Sequence, residues 1–369
     1  MRLTLVISCL EGGGAQRVML ALSAAWIERG DDVTVITFDR VDVPSYPVHP
    51  SITQRNLELP AGRSTNMLEA LTKNFRRIRK LRRAIRDSKP GIVVSFLDVP
   101  NVVTLFATRG LGVPVIVSER GNPELDEITP MWRFLRRWMY PTASALVCQT
   151  HPMLQSMLQK INIPGYVIPN PISLPPGHDS IVNRRKDDSP SHTVIGMGRL
   201  TRQKGFDLLL EAFSRVAKAH PDWSLKILGV GPLREQLEAQ AEALGISERV
   251  EFAGVFADPF PILRAGDLFV FSSRFEGFGN ALAEAMLCGL PVISFDCPAG
   301  PSDIIRHEID GLLVPAGDVE ALASAMDRLM NNPGERERLA SRAPEIVSRF
   351  SMDKVLTLWD ELFRKVLRA

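Results

Sequence analysis

Two carboxylates eight positions apart, Glu276 and Glu284, sit in the stretch Phe271-Ser-Ser-Arg-Phe-Glu276-Gly277-Phe278-Gly279-Asn280-Ala281-Leu282-Ala-Glu284-Ala-Met286. The apolar run Leu268 to Phe271 reads as a buried strand, the Gly-rich segment as a tight turn, and Ala281 to Cys288 as a helix closed by Gly289-Leu-Pro291. A helix start presents unpaired N–H groups and a partial positive charge, which suits an anion. Carboxylates beside such an end point to a ligand with both hydroxyls and phosphates, as a sugar nucleotide has. The plainer alternative is that both glutamates are solvated surface residues.

Cations of matching chemistry lie upstream. In Gly198-Arg199-Leu-Thr-Arg202-Gln-Lys204-Gly205, Arg199 and Lys204 flank a turn at a strand end, where two cations could clamp a diphosphate. Near the start, Gly12-Gly13-Gly14 opens a helix and lets backbone approach a ligand closely. It is not a P-loop, because no Gly-Lys-Ser/Thr follows, and Arg17 stands where a dinucleotide fingerprint needs its third glycine. Asp39, at the end of the second strand, imitates a ribose-binding acid, so an NAD-dependent oxidoreductase stays open as an alternative.

The elements that position these residues alternate strand and helix. Leu3 to Cys9, Ala15 to Arg29 and Asp32 to Phe38 form a βαβ unit, hence a parallel sheet. Further strands fall at Ile92–Phe96, Val115–Val117, Ala145–Cys148 and Tyr166–Pro169; the alternation restarts at Thr193. With 369 residues, two domains are expected. The division predicted is 1–170, a proline- and charge-rich linker at 171–192, 193–349, and a final helix at 350–369 that crosses back to the first domain. The fold class is α/β, two Rossmann-like doubly wound domains facing a cleft.

Composition narrows the class. Hydrophobic residues make up 45% and charged residues 23%, ordinary for a globular protein. No apolar run approaches the ~20 residues of a membrane span, and Cys9, Cys148, Cys288 and Cys297 show neither disulfide nor zinc spacing. A cytoplasmic location is expected. Residues 1–178 hold 21 Lys/Arg against 14 Asp/Glu, and the remainder 23 against 28, so the halves face different partners.

The surplus is concentrated in residues 64–89. Lys73, Arg76, Arg77, Arg79, Lys80, Arg82, Arg83 and Arg86 interleave with Leu68, Leu71, Phe75, Ile78, Leu81 and Ile85 at helical spacing. A cationic face of this kind meets anionic lipid headgroups or a lipid-linked diphosphate; a plain solvated helix is the alternative. Nucleic acid is disfavoured, because the aromatic interleaving of single-strand binders is missing. Trp132-Arg-Phe-Leu-Arg-Arg137-Trp138 adds a second basic-aromatic patch, and Ser118-Glu119-Arg120-Gly-Asn122-Pro123 a polar loop at a strand's C-terminal end.

Taken together, Glu11-Gly-Gly-Gly14-Ala-Gln-Arg17, Gly198-Arg199 through Lys204-Gly205, Gly229-Val-Gly231-Pro232 and the Glu276/Glu284 pair resemble the retaining GT-B-fold glycosyltransferases of family 4, end to end. Within it, Ser95-Phe-Leu-Asp98, Trp132 to Arg137 and the basic helix look most like bacterial enzymes that extend polyprenyl-diphosphate-linked oligosaccharides. The resemblance implies that Arg199 and Lys204 neutralise the donor diphosphate, and that Gly13 and Gly14 let backbone approach donor and acceptor. Glu276 would hold sugar hydroxyls, the backbone of Gly277, Phe278, Gly279, Asn280, Ala281 and Leu282 sugar and phosphate, and Glu284 the ribose, with Gly231 near the base. Lys73, Arg76, Arg77, Lys80, Arg83 and Arg120 would serve acceptor and membrane.

The chemistry so implied is a front-face transfer of a hexose or N-acetylhexosamine from a nucleotide-diphospho-sugar, UDP-linked, to a lipid-linked glycan at the inner face of the cytoplasmic membrane. Stabilising the departing diphosphate is its main task. No metal or other cofactor is expected, since no Asp-x-Asp is present. Many relatives carry His where Arg120 stands here. A sugar-nucleotide epimerase and a membrane-surface carbohydrate-binding module are the competing classes.

Overall fold

The computed structural model describes residues 1–39, 46–59, 67–121, 129–173, 191–256 and 258–368, without the side chains of 67–71 and 73. Most of the expected linker, Asn122 and Pro123, and the side chain of Lys73 thus lie outside the described residues. The chain divides into two compact units, residues 1–171 with 352–369, and residues 172–351.

The first unit is a seven-stranded, all-parallel sheet: β1 (Arg2–Ile7), β2 (Asp32–Thr37), β3 (Thr53–Asn56), β4 (Ile92–Phe96), β5 (Val115–Ser118), β6 (Ala145–Cys148) and β7 (Gly165–Val167). Helices α1 (Gly14–Glu28), α2 (Met67–Ser88), α3 (Asp98–Thr108), α4 (Pro130–Met139) and α5 (His151–Leu158) connect them. The strand order is β3-β2-β1-β4-β5-β6-β7. Strands covered on both faces read as nearly continuous apolar runs, and β4, β5 and β6 are buried at every position, Ser95 and Ser118 being the polar exceptions.

The second unit repeats the plan with six parallel strands: β8 (His192–Met197), β9 (Trp223–Leu228), β10 (Val250–Gly254), β11 (Leu268–Phe271), β12 (Val292–Asp296) and β13 (Leu312–Pro315), ordered β10-β9-β8-β11-β12-β13. Its helices are α6 (Phe206–Ala217), α7 (Arg234–Ala243), α8 (Phe260–Ala265), α9 (Asn280–Leu287), α10 (Pro301–Ile304), α11 (Val319–Asn331), α12 (Pro333–Arg342) and α13 (Ile346–Phe350). Alternation along the strands sorts side chains to opposite faces. Leu268 and Val270 join Phe213 and Met326 in one core, whereas Phe269 and Phe271 join Phe260 and Met286 in another.

The last helix, α14 (Met352–Arg368), belongs to the first unit. Trp359 and Phe363 pack against Trp26 of α1 at centroid distances of 5.9 and 5.7 Å, and Arg29 pairs with Asp360 at 3.1 Å.

Strand order reverses direction between β1 and β4 and between β8 and β11. Open α/β sheets bind ligands outside the carboxyl ends of the strands at such points. The loops there are Gly12 to Gly14 in the first unit, and 198–205 with 272–279 in the second.

Candidate active site

The switch-point loops of the second unit interlock through backbone. Gly205 adopts φ 64, and a Cβ there would lie 2.0 Å from the Ser272 carbonyl oxygen, so only glycine fits. The Ser272 hydroxyl donates to the Lys204 carbonyl at 3.0 Å, the Arg274 N–H to Gln203 O at 2.8 Å, and Gln203 Nε2 to Phe275 O at 3.0 Å. Arg274 also forks onto Asp207 at 2.7 and 2.6 Å, and its hydrogen bonds hold the Asp207 carboxyl below the usual carboxylate range against the opposing effect of burial.

That scaffold brings Lys204 to Glu276. Lys204 Nζ donates to Glu276 Oε1 at 2.6 Å and lies 5.4 Å from the centre of the Phe271 ring. The side chains are only 16% and 8% exposed, so this ion pair is far less screened than a surface one. An ammonium has three donors, and the Glu276 contact uses one. Cys297, buried beside the pair, is pushed up to about 12, chiefly by burial and then by the Glu276 charge. Such a thiol is no nucleophile.

Arg199 sits on the same loop but is exposed. The loop's other neighbour is Gly229 to Pro232, after β9: Leu200 N–H donates to Val230 O at 2.9 Å and Leu233 N–H to Leu200 O at 3.1 Å. A Cβ on Gly231 would lie 2.4 Å from the Leu200 carbonyl oxygen, so the expected base-side glycine is required by this close approach.

Beyond Glu276 the chain turns through Gly277, Phe278 and Gly279, all buried, into α9. Gly279 holds φ 106 as the residue before the helix, which receives no side-chain cap. From behind, Gly300 supports the turn; a Cβ there would meet the Phe278 carbonyl oxygen at 2.3 Å. Asn280, Ala281 and Glu284 of α9 are half-buried, and Leu282 points into the core. Glu284 lies near Cys288, whose thiol burial raises to about 12, with Arg264 opposing and Glu284 reinforcing. The two glutamates therefore occupy different depths, one against Lys204 and the other a turn into α9.

In the first unit, α1 begins at Gly14 with extended Gly13 before it and no side-chain cap. The basic residues of α2 divide by environment. Arg76, Arg79, Arg83 and Arg86 are exposed, with Arg83 and Arg86 near Asp87 at 3.8 and 3.6 Å. Lys80 instead donates to Leu57 O at 2.8 Å, and half-buried Arg77 acts electrostatically on Asp39. On α4, Met131, Phe134 and Trp138 are 51%, 69% and 57% exposed beside exposed Arg133 and Arg137. No helix among the described residues is long and apolar enough to cross a membrane.

Arg120 is buried, not on the surface, its guanidinium 4.9 Å from the Phe96 ring centre. Burial lowers its pKa to about 9. Sequence reasoning did not anticipate the small polar recess lined by Leu10, Thr37, Asp39, Gln54 and Asn56, because β3, which supplies Gln54 and Asn56, carries no apolar signal. There burial raises the Asp39 pKa, with Arg77 opposing.

Two family models match in succession: Glycosyltransferase Family 4 over residues 12–174 and Glycosyl transferases group 1 over residues 179–346. A Campylobacter jejuni protein, the GalNAc-α-(1→4)-GalNAc-α-(1→3)-diNAcBac-PP-undecaprenol α-1,4-N-acetyl-D-galactosaminyltransferase, is 27% identical over 100% of both chains. Among solved structures, S. aureus TarM in complex with UDP and α-GlcNAc-glycerol aligns with a TM-score of 0.81 at 15% identity, covering 98% of this chain and 100% of that one. Anabaena HepE in complex with UDP and glucose aligns with a TM-score of 0.78 at 19% identity over 99% of each chain. With its two Rossmann-like sheets and both models matched in order, the chain belongs to the GT-B glycosyltransferases of family 4.

Proposed function

We propose that the chain transfers a hexose or N-acetylhexosamine from a nucleoside-diphosphate sugar, UDP-linked, to a lipid-linked glycan, with retention at the anomeric carbon. The observation that carries this reading is the largely buried Lys204–Glu276 pair beside the uncapped start of α9, with Arg199 on the Lys204 loop. The name of the Campylobacter jejuni relative supports the lipid-linked acceptor.

Departure of a nucleoside diphosphate develops negative charge on its terminal phosphate. Lys204, Arg199 and the N–H groups at the start of α9 supply donors of the right sign for it. Glu276, held by Lys204, keeps one oxygen to accept from a sugar hydroxyl, while Glu284, deeper along α9, serves the ribose. The leaving phosphate takes the acceptor hydroxyl's proton, so the charge clamp needs neither a protein nucleophile nor a metal. Exposed Arg76, Arg79, Arg83 and Arg86 of α2, with the aromatic face of α4, hold the enzyme on the inner leaflet.

The test is a panel of UDP- and GDP-sugars scored first by thermal stabilisation and then by transfer to a polyprenyl-diphosphate-linked glycan, with the anomeric configuration of the product read by NMR. Stabilisation by a UDP-sugar and an α-linked product from an α-linked donor are expected. Transfer with inversion would refute the retaining assignment.

A further inference from the structure

The carboxyl ends of β5, β6 and β7 gather a buried polar group for which donor binding in the second unit has no use. Arg120 is 9% exposed, Gln149 4% and Thr150 1%. Arg120 Nη1 and Gln149 Nε2 both donate to Asn170 Oδ1, at 2.7 and 2.8 Å, which holds the two heads side by side. Arg120 Nε and Nη2 and Thr150 Oγ1 are buried with no hydrogen-bond partner. Thr150 is also the residue before α5 and leaves that helix start without a side-chain cap.

The adjacent carboxylate does not neutralise the guanidinium. Glu119 is engaged elsewhere, accepting from the Tyr140 hydroxyl and lying 4.0 Å from Arg136. Among the described residues no carboxylate pairs with Arg120. A buried cation without a counter-charge is costly, and each buried N–H without an acceptor adds to that cost. The depressed pKa of about 9 is the same penalty in another form. An anion would remove both costs at once, through charge-assisted bonds from Nε and Nη2 and a further donor in the Thr150 hydroxyl.

We propose that Arg120, Gln149 and Thr150 form an oxyanion receptor in the first unit, which takes a phosphate or carboxylate group borne by the acceptor. Its location at strand ends follows from the parallel sheet; that the anion belongs to an acceptor rests on the glycosyltransferase reading. A phosphate would come from the lipid-linked diphosphate and a carboxylate from an acidic sugar.

The full chain carrying Lys204→Ala, which removes the diphosphate ligand proposed for the second unit, is titrated with pyrophosphate, inorganic phosphate, glucuronate and glucose while thermal unfolding is followed. The same titrations are run with Arg120→Met or Thr150→Val added. We expect an oxyanion, and not glucose, to raise the midpoint. Arg120→Met should weaken that response at least tenfold while unfolding no earlier than its parent in buffer, because an apolar group of similar volume replaces an unpaired buried cation. Thr150→Val, which keeps side-chain shape, should weaken the response about threefold. A response to phosphate or pyrophosphate alone identifies the lipid diphosphate, and a response to glucuronate alone an acidic sugar. An anion response equal in all variants, an adventitious ion only, overturns the proposal, as does no response at all, the result if ordered water fills the site. UDP stabilisation of the single Arg120→Met variant is measured in parallel: its retention shows that the donor reading stands whatever the receptor result.

Discussion

At the scale of single residues, the candidate site reduces to a charge balance between Lys204 and Glu276. Lys204→Ala should lower kcat/KM by about 100- to 1000-fold, the usual effect of losing one donor to a developing oxyanion, and circular dichroism should show the fold intact. Arg199→Ala, at an exposed position, should cost about tenfold to 100-fold and chiefly affect kcat. Unchanged turnover in either variant would remove that residue from the mechanism. Asp39 gives a pH-dependent readout of a different kind. Burial raises its folded pKa above the ordinary carboxylate value, so the native state binds the proton more tightly than the unfolded one. Stability is therefore lost as pH rises through the folded value. Asp39→Asn should raise the melting temperature at pH 7, with the gain shrinking toward pH 3; a gain that persists at pH 3 would place its cause elsewhere.

At the scale of elements, loops after different strands hold the site together, which explains what could be read in advance. The strand–turn–helix around Glu276 and the turn holding Arg199 and Lys204 were legible because apolar runs, glycines and helical periodicity are local signals. The pairing of Lys204 with Glu276 was not, since 72 positions separate them and only the adjacency of β8 and β11 brings their loops together. Similarly, α2 reads in sequence as one cationic face, yet Lys80 bonds the Leu57 carbonyl and Arg77 is half-buried and acts electrostatically on Asp39. Converting Arg76, Arg79, Arg83 and Arg86 to Gln should weaken binding to anionic vesicles by at least 100-fold at low salt, at about 1 kcal/mol per charge. Lys80→Gln should have a smaller effect on vesicles and a larger one on thermal stability. Equal loss of vesicle binding from Lys80→Gln alone would contradict this division.

At the scale of the whole molecule, the chain repeats one doubly wound design twice and then returns its last helix to the first unit. The apolar spacing of residues 352–368 is readable as a helix, but its destination depends on Trp26, Trp359 and Phe363 finding one another across more than 300 positions. Trp359→Ala should destabilise the first unit by about 3–5 kcal/mol, the cost of a large aromatic cavity, with little effect on a separate transition of the second; calorimetry would resolve the two. On the proposed function, the second unit binds a nucleoside diphosphate through the Lys204 and α9 loops. Isothermal titration of UDP into the wild-type chain and Lys204→Ala tests it most directly. Binding by the wild type and at least tenfold weaker binding by the variant are expected, whereas equal affinity in both, or none in the wild type, would rule this site out.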